Sequence, residues 1–161
     1  MRSVQYLTPA LAGASAIHYQ TAPVCKSSPL DPSWPSEDDW ISLNTTINGS
    51  LLRTVPAASA CWPGEPFSSS ISCDVATDKW TNATWHSQQP ESIDYQIYAN
   101  NTCLPNHAPG YSAERGCSID GFPQYIVNAT SEDHVAYAMK WASDRNIRIV
   151  IKGTGHDLSG R

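Results

Sequence analysis

The sequence predicts an α+β fold, with one βαβ unit near its carboxyl end and a long, loop-rich, disulfide-bearing region ahead of it. Three observations lead there. Strand, helix and strand patterns follow one another with short joints between Phe122 and Ile151, and such a unit has a right-handed crossover. Twelve Pro, nine Gly and six Trp mark turns pinned by aromatic packing. Five widely spaced Cys (Cys25, Cys61, Cys73, Cys103 and Cys117) include no Cys-x-x-Cys pair, which disfavours zinc ribbons and thioredoxin-like motifs and favours disulfides.

The chain divides into residues 1–16, 17–118 and 119–161. The first segment has one early charge at Arg2, a short apolar stretch, and small residues at Ala14-Ser15-Ala16. That is the layout of a secretory signal peptide, although Gln5 and Pro9 interrupt its apolar core; a plain N-terminal tail is the alternative. Five Asn-x-Ser/Thr triplets, at Asn44, Asn48, Asn82, Asn100 and Asn128, would accept glycans on a secreted chain. The expected localisation is therefore secreted. The local pairs Cys61–Cys73 and Cys103–Cys117 are the simplest disulfide assignment and leave Cys25 over. Each would stabilise its loop by roughly 3 kcal/mol.

In the second segment, Pro23, Pro29, Pro32 and Pro35 form a turn-rich lead-in. Ser36 and Asp39 have capping-box spacing, Glu37 and Asp38 suit a helix N-terminus, and Trp40, Leu43 and Ile47 make one apolar stripe. Asn48-Gly49 ends that helix. Leu51–Val55 reads as a short strand, residues 56–109 as mostly loop, and Ser92–Tyr98 as a further weakly alternating strand. So long a loop belongs to a region that decorates a larger body.

In the third segment, Phe122–Asn128 reads as a strand. Thr130 is the expected helix cap, with Asp133 in the capping-box position. Val135, Ala138, Met139 and Ala142 make the expected apolar face, beside Trp141, and Asn146 is a left-handed terminator. Ile147–Ile151 is a β-branched, buried strand. It runs straight into Lys152-Gly153-Thr154-Gly155-His156-Asp157-Leu158-Ser159-Gly160-Arg161. A glycine-rich turn at the carboxyl end of a parallel strand is where open α/β folds bind ligands, and its converging N–H groups suit a phosphate. Lys152 and Arg161 add positive charge at its two ends. The spacing fails the Rossmann fingerprint and only grazes the P-loop pattern. Taken alone, the glycines also read as a tight turn and His156 as a hydrogen-bonded structural histidine. A zinc site built from His86, His107, His134 and His156 lacks ligand spacing.

Ten Lys+Arg against fifteen Asp+Glu give a net charge of −5, with no basic cluster. Nucleic-acid and anionic-membrane partners are disfavoured, and no apolar run approaches the roughly 20 residues of a membrane span.

Val127-Asn128-Ala129-Thr130, Glu132-Asp133-His134-Val135, Asn146–Lys152 and Thr154-Gly155-His156-Asp157 with Gly160-Arg161 form a long, ordered set of motifs. This set resembles the start of the FAD-binding domain of secreted FAD-linked oxidases, the vanillyl-alcohol-oxidase / p-cresol-methylhydroxylase superfamily, and in particular its fungal berberine-bridge-enzyme-like branch. Trp34-Pro35-Ser36 with Trp40, and Asn101–Pro105, resemble that branch's N-terminal region. The resemblance implies a truncated FAD-binding domain of the p-cresol-methylhydroxylase type. The chain would then be an N-terminal piece, inactive alone, of an oxidoreductase that passes hydride from a small organic substrate to flavin, with oxygen reoxidising it. It also implies that His156 carries FAD covalently. Lys152, Gly153, Thr154, Gly155, Asp157, Ser159, Gly160 and Arg161 would complete the cofactor-binding turn. The second tethering Cys of many relatives has no counterpart after His156, and Ser27 and Ser33 stand where the branch has two Cys. A contrasting reading is a small secreted, disulfide-stapled glycoprotein that binds partners through Trp-rich loops; flavin that stays with the denatured protein separates the two.

Overall fold

The computed structural model describes residues 25–119 and 121–156. The expected signal peptide at 1–16 and the end of the glycine-rich turn, 157–161, lie outside the described residues. The order of the main elements is α1 (Glu37–Thr46), β1 (Leu51–Arg53), α2 (Cys73–Lys79), α3 (Ala83–Gln88), β2 (Tyr125–Val127) and α4 (Glu132–Asp144).

Helix α1 begins as its sequence dictates. Asp39 N–H donates to Ser36 Oγ at 3.2 Å, and Ser36 N–H and Oγ donate back to Asp39 Oδ2 at 3.0 and 2.7 Å, closing the capping box. Asn48, at φ 54°, turns the chain out of the helix. The stripe of Trp40, Leu43 and Ile47 is buried and forms the core with Trp34, Leu51, Tyr125, Val127 and Trp141 around it. Trp40 stacks on Tyr125 at 4.0 Å and leans on Trp141 at 4.6 Å. Strands β1 and β2 pair antiparallel with Leu51 opposite Val127 and Arg53 opposite Tyr125. The segments before and after residue 118 therefore share one core.

Helix α4 is present but shifted and rotated relative to the sequence expectation. Its cap is Ser131, not Thr130: Ser131 is extended, and its Oγ accepts from His134 N–H at 3.3 Å. Thr130 N–H instead donates to His134 Nδ1. The buried residues are His134 and Ala142, whereas Val135 and Met139 are 43% and 48% exposed. The reason is α1. Arg145 lies 4.5 Å over the Trp141 ring and reaches Asp39 Oδ1 at 3.2 Å, which turns the 134/141/145 face inward.

The α+β class holds, but the last strand of the expected βαβ unit does not form a ladder. Only Ile147 is bridged, in parallel, to Ser27. Ile149, Val150 and Ile151 are 43%, 62% and 74% exposed. A β-branched run becomes a strand only beside a partner edge, and none lies along 148–151 among the described residues. Ser92–Tyr98 is no strand either; Gln96–Ala99 makes a 3₁₀ turn.

The loop expected over 56–109 contains α2 and α3, capped by Ser72 and Asn82. Their 7 and 6 residues are too short to show a helical period. Both expected disulfides are present, Cys61–Cys73 and Cys103–Cys117. The Trp62 indole N–H donates to Leu104 C=O at 2.9 Å and ties the two closed loops together. Cys25 is a free, exposed thiol. Ser27 Oγ and Ser33 Oγ are hydrogen-bonded at 2.8 Å.

Candidate functional site

The glycine turn lies against the excursion that runs from Trp80 through α3 to Asp94. His86 organises that excursion from within. It is buried, with Nδ1 on the Ser92 hydroxyl and Nε2 on Trp80 C=O at 2.7 Å, and the rings of Trp80 and Trp85 meet it edge-on. Both ring nitrogens thus have partners, and the loop behind α3 is drawn into a tight bend.

The bend aims three carbonyls at one point. Lys152 Nζ donates to His86 C=O at 3.1 Å, Gln89 C=O at 2.6 Å and Ser92 C=O at 3.0 Å. Only the ammonium form has a proton for each of these acceptors. Burial lowers the Lys152 pKa from the ordinary lysine value, and the Glu91 carboxylate pulls the other way. The Lys152 ammonium is therefore engaged by the 86–92 bend at the start of the glycine turn.

Past Lys152 the chain turns sharply. Gly155 sits at φ +81°, and a Cβ there would meet Lys152 Cε at 2.9 Å, so the position favours glycine. Beside Gly153 there is nothing within 4 Å of an added Cβ. The turn delivers His156 to Asp94, with Nδ1 3.1 Å from Oδ2. The Asp94 side chain is only 17% exposed and that of His156 41%. An imidazole held by a carboxylate at one nitrogen, with no partner at the other among the described residues, is equipped as a base or a nucleophile.

Of the site residues expected from the sequence, the structure describes Lys152, Gly153, Thr154, Gly155 and His156, on one turn. Asp157, Ser159, Gly160 and Arg161 lie outside the described residues. Asp94 was missed by sequence reasoning. It stands 62 residues before His156, and no local pattern marks it. Among the described residues no three His, Cys, Asp or Glu side chains gather as a metal site. His134 is engaged by Thr130 and Ser131. Of the Asn-x-Ser/Thr asparagines, Asn48, Asn82, Asn100 and Asn128 are exposed. Asn44 is half-buried, and its Oδ1 accepts from Leu51 N–H at 2.9 Å.

Comparison with known proteins places this arrangement in a family. No protein-family model matches the chain. It is 37% identical over 158 residues to the VAO-type flavoprotein oxidase VAO615 of Thermothelomyces thermophilus, covering 94% of this chain and 27% of that protein. It is 36% identical over 140 residues to the FAD-linked oxidoreductase hmp9 of Hypomyces subiculosus, covering 87% of this chain and 22% of that one. The crystal structure of the VAO-type flavoprotein MtVAO615 from Myceliophthora thermophila superposes with a TM-score of 0.71 at 37% identity, covering 83% of this chain and 24% of that one.

The chain belongs to the VAO-type flavoprotein family. It spans about a quarter of the length of the relatives it matches. Family membership accounts for the mixed helix and two-stranded sheet with two disulfides as part of a larger flavoprotein architecture.

Proposed function

We propose that the chain supplies the flavin-attachment turn of a secreted FAD-linked oxidoreductase, with His156 as the residue that bonds to the flavin 8α-methyl carbon. The observation that carries this reading is the half-exposed His156 ring, anchored at Nδ1 with its Nε2 unpartnered among the described residues. The turn fits the group: space is open beside Gly153, and Gly155 holds a left-handed bend, the kind of glycine turn whose backbone can approach a phosphate closely. Bound FAD would supply hydride acceptance from a small organic substrate and pass the electrons to molecular oxygen. This chain's own residues hold and orient. Gly153, Thr154 and Gly155 shape the cradle, Lys152 fixes its base, and His156 presents its Nε2 edge. Secretion is supported by the signal-like first sixteen residues, the two disulfides and the exposed Asn-x-Ser/Thr sites.

The test is retention of flavin through denaturation. The chain, and a chimera in which it replaces the aligned segment of the Thermothelomyces oxidase and every cysteine downstream of the join is changed to Ala, are incubated with FAD, precipitated with acid and run on a denaturing gel. In-gel flavin fluorescence is expected in the chimera and is expected to vanish in His156→Ala. Fluorescence that persists in His156→Ala, or flavin stripped entirely by acid from the unmutated chimera, overturns the reading.

A further inference from the structure

We infer that Asp94, carried on the bend behind α3, is the positioning residue for His156 and sets which ring nitrogen holds the proton. The inference rests on the reading of His156 as the attachment residue and extends it to a part of the chain that has no flavin-binding motif.

Four observations converge. Asp94 Oδ2 lies 3.1 Å from His156 Nδ1, within hydrogen-bond reach. The Asp94 side chain is largely shielded, and that of His156 is not, so the carboxylate is the fixed partner and the imidazole the presented one. The segment bearing Asp94 is locked to the turn bearing His156 by the three carbonyl bonds to Lys152. That segment is itself held by buried His86, through Trp80 C=O and the Ser92 hydroxyl. The two sides of the contact therefore belong to one braced unit, although they are 62 residues apart.

The consequence is chemical. A carboxylate only accepts, so its partner nitrogen in a neutral imidazole is the N–H nitrogen. Asp94 thus holds the proton on Nδ1, keeps the lone pair on Nε2, and stops rotation of the ring about its two side-chain bonds. An isolated histidine on a glycine turn would sample both tautomers and several rotamers. A carboxylate behind the ring also stabilises positive charge that develops on it. The bend from Trp80 to Asp94 is then more than loop: it is the bracket against which the reactive imidazole is set.

The experiment separates this from the reading beneath it. Ring nitrogen shifts of His156 are measured on the 15N-labelled 161-residue chain at neutral pH, without flavin. The Nδ1–H form is expected to dominate, and Asp94→Asn is expected to shift the ring to a tautomer mixture. Asp94→Glu should restore part of the bias, while the disulfide count and far-UV spectrum stay unchanged in both variants. In the chimera, Asp94→Asn should slow covalent flavin incorporation by about 10- to 100-fold, the loss usual when the partner orienting a metal-bound histidine is removed. An unchanged His156 tautomer in Asp94→Asn overturns the inference whatever becomes of the flavin. Unchanged incorporation in Asp94→Asn, alongside complete loss in His156→Ala, overturns it while leaving the attachment reading intact. Incorporation that survives His156→Ala sinks the attachment reading instead, and the inference that rests on it.

Discussion

Asp39 joins two parts of the chain through one carboxylate. Its Oδ2 accepts from the Ser36 hydroxyl and N–H at the start of α1, and its Oδ1 accepts from Arg145 just past the end of α4. The Ser36 hydroxyl, the Ser36 N–H and Arg145 together hold the Asp39 carboxyl below its ordinary value. A carboxyl with a lowered folded-state pKa contributes stability that is complete above its unfolded pKa and is lost as pH falls through the lowered one. Thermal unfolding of the chain and of Asp39→Asn should therefore differ most near pH 7, with the chain higher. The gap should begin to shrink below about pH 4, the ordinary carboxyl range, and close as pH falls through the lowered Asp39 value. A midpoint gap independent of pH would show that Asp39 acts by shape and not by charge. At the same scale, the Ser27 and Ser33 hydroxyls bond to each other across the lead-in turn, and Cys25 close by is a free thiol.

Among the elements, α2 and α3 depend on their surroundings more than on their own sequences. Helices of 7 and 6 residues do not persist alone. Here α2 starts at Cys73, which the disulfide draws against the Ser59–Cys61 turn. The bridge spans 12 residues, and a loop of that size is worth about 3 kcal/mol in chain entropy. Replacing Cys61 and Cys73 together by Ser should open the 62–94 stretch to limited proteolysis well before the α1–α4 core, whose Trp packing does not involve it. Simultaneous cleavage throughout the chain would show a single cooperative unit instead. The same elements show what sequence can and cannot disclose. The capping box of α1 and its stripe of Trp40, Leu43 and Ile47 are local patterns, and all of them were legible. The Cys61–Cys73 and Cys103–Cys117 pairs were legible because each closes a short loop. The α4 boundary slipped by one residue because Thr130 and Ser131 are both cap formers, and the choice falls to the extended backbone at Ser131. Its buried face was misread because the Trp40–Trp141 contact and the Arg145–Asp39 ion pair, which orient the helix, are tertiary. In the site, the glycines and His156 stand out in the sequence. Asp94 and the carbonyls around Lys152 do not, because the excursion that carries them folds back from some sixty positions away.

For the whole molecule, the decisive feature is how the apolar residues are spent. The core around Trp40 is filled by α1, the β1–β2 pair and α4. Elsewhere on α4, Val135, Tyr137 and Met139 are 43%, 51% and 48% exposed, and Ile149, Val150 and Ile151 add a β-branched run with unpaired backbone among the described residues. A short apolar, β-prone segment with no ladder partner is a template for strand pairing between molecules. The relatives are about four times longer than this chain, and an apolar surface of this kind is what a larger flavoprotein body would bury. The 161-residue chain by itself should therefore bind a hydrophobic dye and self-associate at micromolar concentration in sedimentation experiments. Replacing Ile149 and Ile151 by Lys should abolish both while leaving the far-UV spectrum and the Trp fluorescence of the α1–α4 core in place. Charge on an unpaired edge blocks the addition of a second strand at little cost to a core it does not touch. Association that persists in the double Lys variant would move its origin to the exposed face of α4, where Val135→Lys tests it next. A monomeric, dye-free chain would mean that residues 148–151 are already covered, and that the turn bearing His156 starts from a completed strand.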